Sequence, residues 1–530
     1  MRRTSGRGRR YLAAAAGFLA VAAGAATAAP GTASPPRLLV RQVSHDPAWA
    51  SGEAWVAVDP RDATALTAVW TALPASALAA VTSAPGPEPI ACGAARSTDG
   101  GQSWVAVQIP FQAVGIPANA GGCADPSIVA GRDGTLYMVF NGGSITPGIA
   151  TAAAGPPSLL TFSASHDGGR TWSNPTKVWS VQDTPANTVA SGSLDLGFDR
   201  PFLTIDDATG ALYVTGSDDS LVQRVVIASH DHGRTWGLPR PFDPDGQSVW
   251  ADTISAAHGV VAAVYGIDPS SVTYMSATDH PVTCAHTCAV FETSRDDGAT
   301  WDRHVVPAPT VLSSAVRVPV AAAGLQVAVD PATSGRFAVL VPVDAAAADV
   351  WLTADSGTTW RRAAELRASG GDAVAKTWLA FGPAGALAVA WRNTHADGSH
   401  EVYAIVSMDG GRAFGARVQI SDGTASPDAS KLPVGDDCSC DLVLDDHALY
   451  TSWADGRTGQ RQVWFARYRY APDAAPAPST RRAKPVRSRA AAPSRSLAAT
   501  GAPRVLAGLA LLVVLASAAV HRARRRVLDM

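Results

Sequence analysis

The residues best suited to chemistry lie in short, mostly acidic strings. Asp199-Arg200-Pro201-Phe202 sets a carboxylate beside a guanidinium. Asp199 is the candidate acid/base, and Arg200 is the candidate contact for an anion or a sugar. Asp125 is the third candidate catalytic residue. Glu53, Lys376, Asp436, Asp437 and Asp441 also stand just ahead of strand-like runs. Such a set suits a cation, a hydroxyl-rich sugar or an amine-bearing glycan. Equally, these carboxylates can cap turns and accept bonds from neighbouring backbone. Tyr450 is a conceivable nucleophile. However, Tyr137 and Tyr213 occupy matching strand positions, which points to packing. His280, Cys284, His286 and Cys288, or Cys438 and Cys440 with nearby Asp residues, match no standard zinc spacing. No metal site and no organic cofactor is assigned, although Ca2+ is compatible with the acidic set.

A repeat must position these residues. Ser97-Thr98-Asp99-Gly100-Gly101-Gln102-Ser103-Trp104 recurs at Ser165–Trp172, Ser229–Trp236 and Ser294–Trp301. Looser copies run from Thr353 to Trp360 and from Ser407 to Phe414. The central residues are Asp99, Asp167, Asp231, Asp296, Asp355 and Asp409, separated by 68, 64, 65, 59 and 54 positions. Near-regular recurrence at this length marks a repeat architecture. In each copy the Asp can accept backbone N–H bonds within a tight turn, and Gly supplies a left-handed backbone angle. The Trp returns the chain into the next strand. Two β-rich runs precede each copy, such as Ser127-Ile128-Val129-Ala130 and Leu136-Tyr137-Met138-Val139-Phe140, so each unit reads as four antiparallel strands.

This pattern resembles the Asp boxes of sialidase-like (BNR-repeat) β-propellers, over nearly all of residues 38–470. The resemblance implies an all-β propeller of four-stranded antiparallel blades. It also implies that the boxes are structural and lie on the face away from any active site. Units begin near Ala54, Pro126, Pro201, Asp252, Gly324 and Thr377. A seventh, starting at Asp441-Leu442-Val443-Leu444, has three strands and no box. Arg37–Val43 can supply its missing strand, which predicts seven blades closed by the N-terminal segment. The six blades of sialidases are the alternative. Sialidases also carry an Arg-Ile-Pro motif in the first unit and three substrate-binding arginines. Asp199-Arg200-Pro201 is the nearest string and opens the third unit instead.

Both ends of the chain carry export features. Arg2, Arg3, Arg7, Arg9 and Arg10 precede an apolar stretch and Ala26-Thr27-Ala28, which is the order of a signal peptide over residues 1–28. The propeller is assigned to 29–470 and a Pro/Ala/Arg-rich linker to 471–496. Residues 497–530 contain Leu-Ala-Ala-Thr-Gly, an apolar run and a basic tail. That tail resembles a cell-wall sorting signal, which implies cleavage by a sortase-type transpeptidase between Thr500 and Gly501. A plain membrane anchor is the alternative. Either reading places the body outside a Gram-positive cell.

The total formal charge of −2 hides an asymmetry. Residues 31–470 hold 27 basic and 43 acidic side chains, a net charge of −16. An acidic body argues against nucleic acid as a partner. Six cysteines (Cys92, Cys123, Cys284, Cys288, Cys438 and Cys440) suggest disulfides in an exported protein. A bridge from Cys92 or Cys123 to Cys438 or Cys440 would lock the closure of the ring, and Cys284–Cys288 would staple its own loop. The expected function is that of a monomeric surface protein acting on glycans, with exo-glycosidase chemistry. The alternative is a non-catalytic propeller that binds a glycan or a protein.

Overall fold

The computed structural model describes residues 37–74, 91–110, 123–142, 159–180, 198–218, 223–243, 253–267, 286–308, 324–368, 370–426 and 441–471. The expected signal peptide, linker and sorting segment, with Thr500 and Gly501, lie outside them, as do Cys284, Cys438, Cys440, Asp436 and Asp437. Among the described residues no helix is long and apolar enough to cross a membrane.

The first strand, β1 (Leu38–Gln42), does not open a blade. Blade one is β2 (Trp49–Asp59), β3 (Asp62–Pro74), β4 (Ala91–Ser97) and β5 (Val105–Val107). Blade two is β6 (Cys123–Ala130), β7 (Leu136–Gly142), β8 (Leu159–Ser165) and β9 (Thr176–Ser180). Blade three is β10 (Phe198–Asp206), β11 (Ala211–Asp218), β12 (Gln223–Ser229) and β13 (Arg240–Asp243). Blade four is β14 (Ile254–Ala257), β15 (Val260–Ile267), β16 (Cys288–Ser294) and β17 (Asp302–Val306). Blade five is β18 (Gln326–Val329), β19 (Phe337–Asp344), β20 (Ala347–Thr353) and β21 (Arg361–Arg367). Blade six is β22 (Ala373–Phe381), β23 (Leu387–Thr394), β24 (His400–Ser407) and β25 (Val418–Gln419). Blade seven is β26 (Val443–Leu444), β27 (Ala448–Asp455) and β28 (Gln462–Arg469), completed by β1. β1 pairs antiparallel with β28, from Leu38 opposite Tyr468 to Gln42 opposite Trp464. The ring therefore has seven blades, not six, and is closed by the N-terminal strand.

Short acidic turns punctuate the first hairpin of most blades. The carboxylates of Asp59, Asp133, Asp206, Asp330 and Asp445 each accept the amide two residues on, at 2.7–2.9 Å. These turns and the Asp boxes share one end of the strands, here termed the box face. All six boxes are wired alike. The Ser or Thr hydroxyl donates to the Asp at 2.7–3.0 Å and accepts the Gly amide at 2.8–2.9 Å. The same Asp accepts the amide four residues on at 2.8–3.0 Å. Burial pushes the Asp167 carboxyl up, but bonds from Thr171 and Ser165 outweigh it and hold the group at about 2.

Each box also packs the ring together. The glycine at the fifth box position has a positive φ, for example +86° at Gly101 and +82° at Gly233. It lies against the preceding blade: Gly101 on Phe465, Gly233 on Phe162, Gly411 on Leu352. The core is a series of such seams. One joins Tyr137, Val139, Leu160 and Phe162 of blade two to Leu203, Leu212, Val214 and Ile227 of blade three. Buried hydroxyls stitch the inner strands together, with Ser127 accepting the Leu203 amide at 3.1 Å and Thr253 accepting the Val327 amide at 3.0 Å.

The cysteines correct one expectation. Cys92 is bonded to Cys123, with Cα atoms 5.2 Å apart, so neither bridges to Cys438 or Cys440. The reason is lateral order. Cys92 sits on the third strand of blade one and Cys123 opens the inner strand of blade two, so the bond crosses an internal seam rather than the closure. Cys288 is also disulfide-bonded, to a partner outside the described residues.

Candidate functional site

Four inner strands break register at the same level. The breaks fall between Gly52 and Trp55, Ala124 and Ser127, Asp199 and Phe202, and Ala375 and Trp378. In three of these bulges a charged residue takes a left-handed backbone: Glu53 (φ 50°), Asp125 (φ 47°) and Lys376 (φ 48°). Arg200 occupies the corresponding place in β10. Left-handed non-glycine residues are costly, and they gather where the surrounding structure needs a particular side-chain direction.

Two residues beyond each bulge, the inner strands present Trp55, Ser127, Phe202 and Trp378. Trp55 lies 5.0 Å from Trp378 and 5.7 Å from Phe202, and Phe202 lies 5.6 Å from Trp378, between ring centroids. These rings come from blades one, three and six, no two of which are neighbours. They can touch only across the central channel. The channel is therefore plugged by aromatic rings, and the bulged residues stand one step nearer its mouth. This end lies opposite the box face, because each inner strand runs from its bulge to its acidic turn.

More charge surrounds the bulges. Arg392 pairs across from Ala375 and is 4 % exposed, and Arg461, just ahead of β28, is 2 % exposed. The Arg461 carbonyl accepts the Ser51 amide at 2.9 Å, which places it beside the Glu53 bulge. Among the described residues, blades four, five and seven lack the bulge; from blade four, Thr253 and Ser255 accept the Val327 and Val329 amides of blade five. On blade six, His395 lies between Asp372 (3.0 Å) and Glu401 (3.0 Å), and Asn393 and Thr424 bond the same carboxylates. Glu401 and then Asp372 raise the imidazole to about 9. A group raised in the folded state lends stability that is complete below its unfolded value of about 6.5 and fades as pH climbs through about 9. The thermal midpoint of the wild type should thus fall more between pH 6.5 and 9.5 than that of His395→Gln. Equal falls in a pair of thermal melts would remove this role for His395.

The sequence candidates divide clearly. Asp125 reaches the mouth, where Asn141 Nδ2 donates to its carboxylate at 2.9 Å. Asp199 and Arg200 lie in β10 at the same level by backbone, and their side chains lie outside the described part. Asp441 does not face the channel. It is buried and accepts the amides of Val56 and Ser452 and the Ser452 hydroxyl, so it caps neighbouring backbone. Tyr450 is not placed as a nucleophile either. It is buried near the box face, donates to Asp445 at 2.5 Å, and burial pushes its hydroxyl far up. Among the described residues no group of three or more His, Cys, Asp or Glu side chains could hold a metal ion. The aromatic plug was missed in the sequence, although its signal was present. Charged, small and aromatic residues follow one another in Glu53-Ala54-Trp55, Arg200-Pro201-Phe202 and Lys376-Thr377-Trp378.

No protein-family model matches the chain, and no curated protein matches it by sequence. Solved structures with a similar fold are sialidase-like and glycoside hydrolase β-propellers at low identity. A protein of unknown function from Dyadobacter fermentans is 13% identical, with a TM-score of 0.43, covering 82% of this chain and 99% of that one. The Trypanosoma rangeli sialidase, in complex with sialic acid, is 12% identical, with a TM-score of 0.39, over 69% of this chain and 55% of that one. The phage phi92 endosialidase is 10% identical, with a TM-score of 0.41, over 90% and 77%.

Proposed function

We propose that this protein is an extracellular, surface-anchored propeller that acts on glycans at the mouth of its central channel. The observation that carries this reading is the set of strained, charged bulges at Glu53, Asp125 and Lys376 above the Trp55–Phe202–Trp378 plug. An aromatic floor ringed by charged hydrogen-bonding groups suits a sugar, whose C–H face packs on rings while its hydroxyls bond to the rim. In this reading Asp199 is the acid/base, Arg200 binds an anionic or hydroxyl group of the sugar, and Asp125 completes the polar rim. The protein works as a monomer outside a Gram-positive cell, attached by a sortase-type transpeptidase acting at Thr500–Gly501.

The test is a panel of fluorogenic glycosides, a sialoside among them, assayed with purified residues 29–470. Asp125→Asn, Asp199→Asn and Arg200→Ala serve as variants. Turnover should fall at least about 100-fold in the Asp199 variant, the size of a lost acid/base group. The second reading is a non-catalytic glycan-binding propeller. It is favoured by Tyr137, Tyr213 and Tyr450, which stand near the box face, away from the mouth. Binding without turnover in the same panel would select it. If folded protein neither binds nor cleaves any glycoside, both readings fail.

A further inference from the structure

Three ties converge on Asp125. Cys123 lies two residues before Asp125 and is bonded to Cys92. Cys92 pairs directly with Thr71 across β3 and β4, and Thr71 Oγ1 accepts the Asp125 amide at 2.9 Å. Blade one thus grips the bulge through two facing residues, one covalently and one by a hydrogen bond. From within blade two, Asn141, which pairs with Ala124, holds the Asp125 carboxylate at 2.9 Å. Main chain and side chain are therefore fixed from different blades.

The bond's position argues against a general staple. It joins blades one and two, adjacent in sequence, across a separation of 31 residues, whereas the ring closes between blades seven and one. Cys92 and Cys123 are both buried, which also argues against a surface redox sensor. What the bond does fix is the start of β6, two residues ahead of Asp125, which limits how far the bulge can shift. A shift there would carry the carboxylate away from the mouth.

We infer that Cys92, Cys123 and Thr71 are positioning residues that hold Asp125 at the channel mouth. This rests on reading the mouth as the ligand site. The experiment is amide hydrogen exchange over residues 123–142 in the full chain, comparing wild type with Cys92→Ala/Cys123→Ala and with Thr71→Val. The Asp125 amide should exchange at least tenfold faster in both variants while blades three to six keep their protection. Any glycoside of the panel that the wild type binds should bind at least tenfold more weakly to both. Unchanged protection at Asp125 overturns the inference. So does loss of protection in all seven blades of the cysteine variant with none in Thr71→Val, since that pattern belongs to a staple. If the wild type binds no glycoside, the reading of the mouth falls, and exchange at Asp125 still decides whether these residues position it.

Discussion

Replacing Gly233 with alanine is expected to destabilise the propeller by about 3 kcal/mol, the sum of a left-handed backbone penalty and an overpacked seam. Gly233 has φ +82°, and a Cβ there would run into the Phe162 ring of the preceding blade. That ring is itself buried against Trp236 and Tyr137, so it has little room to yield. Gly168 supplies the comparison. It is also left-handed (φ +68°), but a Cβ there meets nothing within 4 Å. Gly168→Ala should cost only about 1 kcal/mol. Urea unfolding of the two variants reads the difference directly. Equal costs would show that the box glycines serve the turn alone and not the contact between blades.

The second large effect is expected at Asp441. Elsewhere in the ring, a Ser or Thr hydroxyl on one inner strand accepts an amide of the next blade. At the closure, Asp441 does this for Val56 and also accepts the Ser452 amide. Asp441→Ala leaves two buried amides without that acceptor and should cost about 2–5 kcal/mol. Burial raises the Asp441 carboxyl to about 7 despite the bonds from Ser452 and Val56. A carboxyl raised in the folded state weakens stability as pH rises from its unfolded value of about 4 to its folded one. Asp441→Asn, which cannot ionise, should therefore gain on the wild type between pH 4 and 7. Denaturation midpoints at pH 5 and pH 8 test both statements. A difference between the two proteins that does not change with pH would mean that Asp441 does not titrate in this range.

Much of this architecture could be read from the chain because its signals are local. The Asp boxes lie within eight residues each and mark six blades, and the box-less run from Asp441 supplied the seventh. The closing strand was also legible, since the seventh unit lacked a strand and Arg37–Val43 had the composition to provide one. The Cys92–Cys123 pairing was not legible. It depends on which strands meet side by side, and cysteine spacing does not encode that. The left-handed bulges were hidden for another reason. Glycine normally marks such a position, but here Glu53, Asp125 and Lys376 fill it, and their angles are imposed by the ladders on either side. Asp441 looked like a channel residue because its burial arises only when the last blade meets the first.

The position of β28 has a mechanical consequence. Among the described residues it is the last strand in sequence but not the edge of its sheet, since it lies between β27 and β1. The chain leaves it at the box face, where the Tyr470 amide bonds to His447 in the turn ahead of β27. Tension directed along the axis of β28 from its C-terminal end would load its two ladders. Ladder bonds run across that axis. The load is therefore borne as shear by eight residue pairs to β27 and five to β1 at once, and is not peeled away one bond at a time. The N-terminal segment thus braces the C-terminal one against force.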